Sequence, residues 1–100
     1  MADDDILHVT TPAAWDEARA TGRVRPPSLD HEGFVHCSTR AQLPGTLARH
    51  FAGQGPLLVL VLDPDRLDAP LRWEAAGGGP PFPHVYGPLP VEAVTATEPA

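Results

Sequence analysis

Three histidines of the chain each precede a hydroxyl-bearing residue by two positions: His8 with Thr10, His36 with Ser38, and His84 with Tyr86. Each histidine falls in a short apolar stretch, ILHVT (6–10), GFVHC (33–37) or HVYGPLP (84–90), and residues two apart on a β-strand share a face. Imidazoles exchange protons near neutral pH, and hydroxyls orient and donate hydrogen bonds. If the three strands are neighbours, their polar faces converge on one cleft. The competing reading is that each histidine satisfies a backbone carbonyl at a strand end.

Three imidazoles can also hold zinc with an open fourth position, which would make a zinc hydrolase. The sequence carries no HExxH or HxH, and the three histidines are far apart, so no metal is expected. Cys37 would be a nucleophile if its thiol pKa were lowered at the start of the following helix, but alternation turns it to the Val35 face, away from His36. Ser38 and Thr39 are natural helix caps, and a helix N-terminus also attracts anions. Arg40, in the first turn where the dipole disfavours a cation, faces either a ligand or water. Arg72 and Glu74 share a strand face opposite Trp73. They read as a cross-strand ion pair, or else Glu74 is the carboxylate that holds a ribose hydroxyl or stabilises a cationic transition state. Arg23 and Arg25 read as solvated loop charges, with a phosphate clamp as the alternative.

These residues need elements to place them. ILHVT predicts a strand with Ile6, His8 and Thr10 on one face and Leu7 and Val9 on the other. TTPAAWDEARATG predicts a helix capped by Thr11, opened by Pro12 and ended at Gly22. Residues 23–31, with two adjacent prolines, read as a loop. GFVHC is a strand feeding a helix that runs to Phe51, interrupted or restarted at Pro44-Gly45, with Leu43, Leu47 and Phe51 on one face. PLLVLVLD (56–63) is the expected central strand, covered on both sides. DPDRLDAP is a turn-rich bridge and LRWEA (71–75) a weaker strand. The run GGGPP (77–81) is suited to act as a lid. VEAVTAT (91–97) closes the order as a strand, after a single helical turn. Strands outnumber helices and the helices come early, so the expected fold is α+β, with a mostly antiparallel sheet and two or three helices.

At 100 residues the chain makes one domain, with residues 1–5 as a disordered tail. It has no lysine, and its seven arginines against 13 acidic residues give a net charge of −6 and a pI near 5.1. Double-stranded nucleic acid and anionic membranes are poor partners for such a surface, whereas a small anionic ligand held by one or two arginines is compatible with it. No GxGxxG or GxxxxGK[ST] loop is present. A lone cysteine, an acidic N-terminus and the lack of a long apolar run fit a cytoplasmic protein.

The stretches ILHVTTPAAW, DHEGFVHCSTRAQLPGTLARHF, LLVLVLD, LRWE and FPHVYGPLPVEAV together resemble the bacterial domain-of-unknown-function family 952 over nearly the whole chain. That family is in turn distantly similar to the ADP-ribosyltransferase fold. The resemblance implies a bent, split-barrel-like sheet holding a cleft for NAD or an ADP-ribose-like nucleotide, with cleavage or transfer at the nicotinamide–ribose bond or at a phosphorylated ribose. In that frame His8, His36, Glu74 and Tyr86 are the expected catalytic residues. Thr10, Ser38, Thr39, Arg40 and His84 would bind the ligand. The strand reading HVYG has no glutamate of its own, so a non-catalytic module for a small metabolite or a peptide stands as the alternative.

Overall fold

The computed structural model describes residues 5–75 and 79–100. Two three-stranded sheets and a two-stranded ribbon form a small α+β domain in which every strand pairing is antiparallel. β1 (Ile6–Thr10), β4 (Leu58–Leu62) and β8 (Val94–Pro99) make the first sheet, with β4 in the middle. β3 (Val35–His36), β6 (Phe82–Val85) and β5 (Leu71–Glu74) make the second, with β6 in the middle. β2 (Arg23–Val24) and β7 (Leu89–Pro90) form the ribbon. Three α-helices, α1 (Pro12–Thr21), α2 (Ser28–His31) and α3 (Leu43–His50), and two single 3-10 turns, Pro64–Arg66 and Val91–Ala93, complete the order.

β4 is buried from both sides because its residues are branched and apolar throughout. Leu60 and Leu62 join Ile6, Val35, Cys37, Val85 and Leu89 in one core. Val59 and Val61 join Leu7 and Val9 in the other, beneath Leu43, Leu47 and Phe51. The expected central strand and the expected face of α3 are therefore both present. α1 follows its local signals: the Thr11 hydroxyl accepts from the Ala14 amide at 3.1 Å, Pro12 opens the first turn, and Gly22 ends the helix at φ 91°. No side-chain-bearing residue enters that left-handed region readily.

Three expectations need correcting. Residues 23–31 are not one loop, since Arg23–Val24 pair with Leu89–Pro90 and Ser28–His31 make a helical turn. The helix expected from a cap at Ser38 or Thr39 begins only at Leu43, after the N-cap Gln42; it starts beside Pro44-Gly45, with Pro44 in its first turn, where a missing amide N–H has no helical partner to lose. The strand of GFVHC is regular only over Val35–His36. Of the expected tail, Asp5 is held by an ion pair to Arg40 at 3.2 Å, and residues 1–4 lie outside the described residues. The expected lid begins at residues 77–78, which also lie outside them.

Pro83 shapes the junction of the sheets. It sits in the middle strand β6, where a proline removes one ladder hydrogen bond. Its carbonyl accepts from the Cys37 amide at 3.0 Å, but it has no N–H to return, so pairing of β3 with β6 ends there. One residue later the chain bonds to β1 instead: Leu7 and Ser38 exchange both backbone hydrogen bonds at 2.8 Å. Segment 35–38 thus serves both sheets.

Candidate functional site

His36 and His84 oppose each other across β3 and β6. Because Val35–Val85 and Cys37–Pro83 are the hydrogen-bonding positions of this ladder, His36–His84 is a non-hydrogen-bonded pair, the type in which side chains come closest. Their ring centroids are 5.4 Å apart. Phe34 lies on the same face, stacked on His84 at 4.1 Å and edge-on to His36 at 4.8 Å. β5 adds Arg72 and Glu74 to this face, since Arg72 stands opposite His84.

Two carboxylates organise the rings. The His84 Nδ1–H and the Tyr86 hydroxyl both donate to Glu74 Oε1, at 2.9 and 2.5 Å. The Tyr86 bond first, and then that of His84, hold the Glu74 carboxyl below the usual carboxylate range, while the same contact pushes the Tyr86 phenol up. The His36 Nε2–H donates to Glu32 Oε2 at 2.6 Å and lowers that carboxyl in the same way. Both carboxylates are therefore ionised at neutral pH and act as acceptors, not as proton donors.

His8 reaches the site from the first sheet. It is buried, and its Nδ1–H donates to the His36 backbone carbonyl at 2.8 Å. A carbonyl only accepts, so Nδ1 carries the proton of the neutral ring, and Nε2 keeps its lone pair. Burial drives the imidazole below its ordinary value; the carbonyl contact offsets this in part, and His36 adds to the lowering. Among the described residues Nε2 has no hydrogen-bond partner. His8 thus does satisfy a backbone carbonyl, as the competing reading of the histidines expects, but that bond occupies only one of the two ring nitrogens.

His8, His36 and His84 line one cleft of about 940 Å³, together with Glu32, Phe34 and Glu74. Thr10 and Ser38 also reach its wall. The Ser38 hydroxyl is engaged with that of Thr46 on α3 at 2.8 Å, and its backbone register with Leu7 places it toward α3. Arg25 and Arg49 border the same cleft and, unlike Arg19, Arg23, Arg40 and Arg66, form no ion pair among the described residues.

Several expected site residues stand elsewhere. Arg40 does not border the cleft: its guanidinium meets Glu98 through two bonds of 2.7 and 2.6 Å and Asp5 through a third, because those two carboxylates converge on it from β8 and the chain start. Thr39 makes a reciprocal cap with Gln42, each backbone amide donating to the other's side-chain oxygen at 3.1 Å, and does not reach the cleft wall. Tyr86 stands one layer behind, acting on Glu74 and touching Phe34 at 5.3 Å between ring centroids. Arg23 pairs with Asp68 at 2.8 Å and is not a free clamp. Arg72 forms no ion pair with Glu74; its guanidinium lies 5.4 Å from the Tyr86 ring centroid. Cys37 is buried in the core, which pushes its thiol up to about 12, so it is no nucleophile in this environment. No three His, Cys, Asp or Glu side chains among the described residues are grouped as metal ligands.

Glu32 and Phe34 were not among the expected site residues, although both stand in the stretch EGFVHCST. Alternation from His36 leads back to Phe34, a signal present in the sequence. Glu32 is harder to see, because Gly33 at φ 86° breaks the alternation before it.

Comparison with known proteins agrees with this architecture. A family model described as a protein of unknown function, DUF952, matches residues 9–97. The crystal structure of protein CC0527 from Caulobacter crescentus is 38% identical, with a TM-score of 0.86 over 95% of this chain and 84% of that one. Its solution NMR structure is 37% identical, with a TM-score of 0.81 over 98% and 84%. No curated protein matches the chain at a significant level. No helix among the described residues is long and apolar enough to cross a membrane.

Proposed function

The chain belongs to the DUF952 family, and from that premise we propose that its cleft binds NAD or an ADP-ribose-like nucleotide. The supporting observation is the meeting of His8, His36 and His84, from three different strands, on one cleft that Arg25 and Arg49 also border. Its size of about 940 Å³ suits a dinucleotide. The two arginines supply charge for a pyrophosphate, which binds planar guanidinium groups well. Phe34 and the two imidazoles supply flat surface for a base, and the distant resemblance to the ADP-ribosyltransferase fold points to the same ligand class.

Glu74 is the group through which the cleft would act on such a ligand. Held ionised by Tyr86 and His84, it suits a ribose hydroxyl as acceptor and stabilises positive charge as a glycosidic bond opens. The strand reading HVYG lacks a glutamate, but its His84 and Tyr86 fix one supplied by β5. The reaction on this reading is cleavage or transfer at the nicotinamide–ribose bond.

Calorimetry with NAD, ADP-ribose and nicotinamide, with amide shifts followed in parallel, tests it. NAD and ADP-ribose should give heat and move the signals of His8, Phe34 and His84, and Arg25→Ala with Arg49→Ala should weaken both at least tenfold. Absence of heat and of shifts for all three compounds rejects the ligand class. Binding without turnover, unaltered in kind by Glu74→Gln, favours the non-catalytic module over the enzyme.

A further inference from the structure

The second sheet ends in an open edge. Among the described residues β5 pairs only with β6. Pro83 and Val85 turn their backbone groups toward β3, so His84 and Phe82 turn theirs toward β5. Arg72 and Glu74 are consequently bonded inward, and the N–H and C=O of Leu71 and Trp73 point out of the sheet. Such an edge is a template for another strand.

Trp73 marks the same place. It is the one large apolar side chain left in solvent among the described residues, 51% exposed. It lies on the core-facing side of β5, opposite Pro83, yet outside the packed core. On the other side of the strand, Arg72 forms no ion pair among the described residues, and Glu74 accepts both its hydrogen bonds at Oε1, leaving Oε2 without one.

We propose that β5 is a self-pairing edge at which two copies of this chain join antiparallel about a twofold axis through Trp73. Charge selects this register. With Trp73 facing Trp73 of the second copy, Arg72 faces Glu74 of that copy, and Glu74 faces its Arg72. Moving the axis to Arg72 would set two arginines directly opposite each other, which is unfavourable. Moving it to Leu71 would leave Arg72 opposite Pro70. In the chosen register, the outward backbone groups of Trp73 bond across the axis, the two indoles cover each other, and Glu74 Oε2 receives a guanidinium. β8, the other long edge, carries a register irregularity opposite Val61/Leu62, ends in a proline and exposes no large apolar side chain, so it lacks these features.

The pairing does not depend on the ligand reading, but it places Arg72 of the second copy beside the carboxylate of the candidate site. Sedimentation equilibrium of the full chain across micromolar to millimolar concentration tests it. The expected result is a species of twice the 10.6 kDa chain mass. Trp73→Pro removes an outward N–H that the chain's own ladder does not use, and Arg72→Glu sets like charges across the axis. Each should weaken the dimer at least tenfold while the circular dichroism spectrum stays unchanged. A monomer throughout overturns the proposal and leaves the edge to an extended segment of another protein. A dimer indifferent to both substitutions, with their fold intact, overturns it as well.

Discussion

Replacing His8 by asparagine removes a titrating group while keeping its one hydrogen bond, because the Asn amide N–H can take the place of Nδ1–H toward the His36 carbonyl. The folded pKa of His8 lies below the ordinary value of 6.5 on account of burial. In the unfolded chain the ring takes up a proton as pH falls through that value, whereas the folded chain does not. The unfolded state then binds more protons, so stability is full above that value and declines as pH falls below it. The slope approaches about 1.4 kcal/mol per pH unit, which amounts to a loss of at most about 1.3 kcal/mol between about pH 7 and about pH 5.5. The carboxylates whose folded pKa is lowered, Glu32, Asp68, Glu74 and Glu98, act below their unfolded values near 4 and so fall outside this window. Urea unfolding at a series of pH values reads the effect directly. The wild-type curve should fall across the window more steeply than that of His8→Asn, whatever constant offset the smaller side chain introduces. Parallel curves would refute the assignment of His8 as a buried neutral imidazole.

Leu60 is fully buried at the centre of β4, and Leu60→Ala should destabilise the fold by about 2–5 kcal/mol, read from the urea midpoint. Cys37, with its thiol pushed up to about 12, should resist iodoacetamide at neutral pH until the chain unfolds; stoichiometric labelling of the native protein within minutes, seen by mass spectrometry, would contradict its burial. Arg40 lowers the Glu98 carboxyl, so their contact stabilises above the unfolded value of 4.5 and fades as pH falls through the lower folded one. The stability difference between wild type and Arg40→Gln should accordingly be present at neutral pH and shrink in acid.

Local signals carried most of the fold. The Thr11 cap, Pro12 and Gly22 bound α1, and the unbroken branched run of β4 announced a strand covered on both faces. The two-residue strands β2 and β7 carry no period at all, and only their pairing defines them. Alternation placed His36 and Phe34 on one side and Val35 and Cys37 on the other, as the packing has it. What the chain order conceals are contacts between distant positions. Arg40 meets Glu98 across 58 residues, and nothing near either marks the partner. Glu74 meets His84 and Tyr86 because β5 pairs with β6 in one particular register, and a shift of one residue would turn the carboxylate to the other face.

The segment from Val35 to Ser38, released from one ladder at Pro83 and taken up by the other at Leu7, stitches the two sheets with a single short piece of backbone. Neither sheet can open at that point without loosening the other, and both halves of the cleft hang from the same stitch. Amide protons on β1 and β6 should therefore exchange with solvent in one concerted event, and the cleft should vanish all at once when the molecule melts.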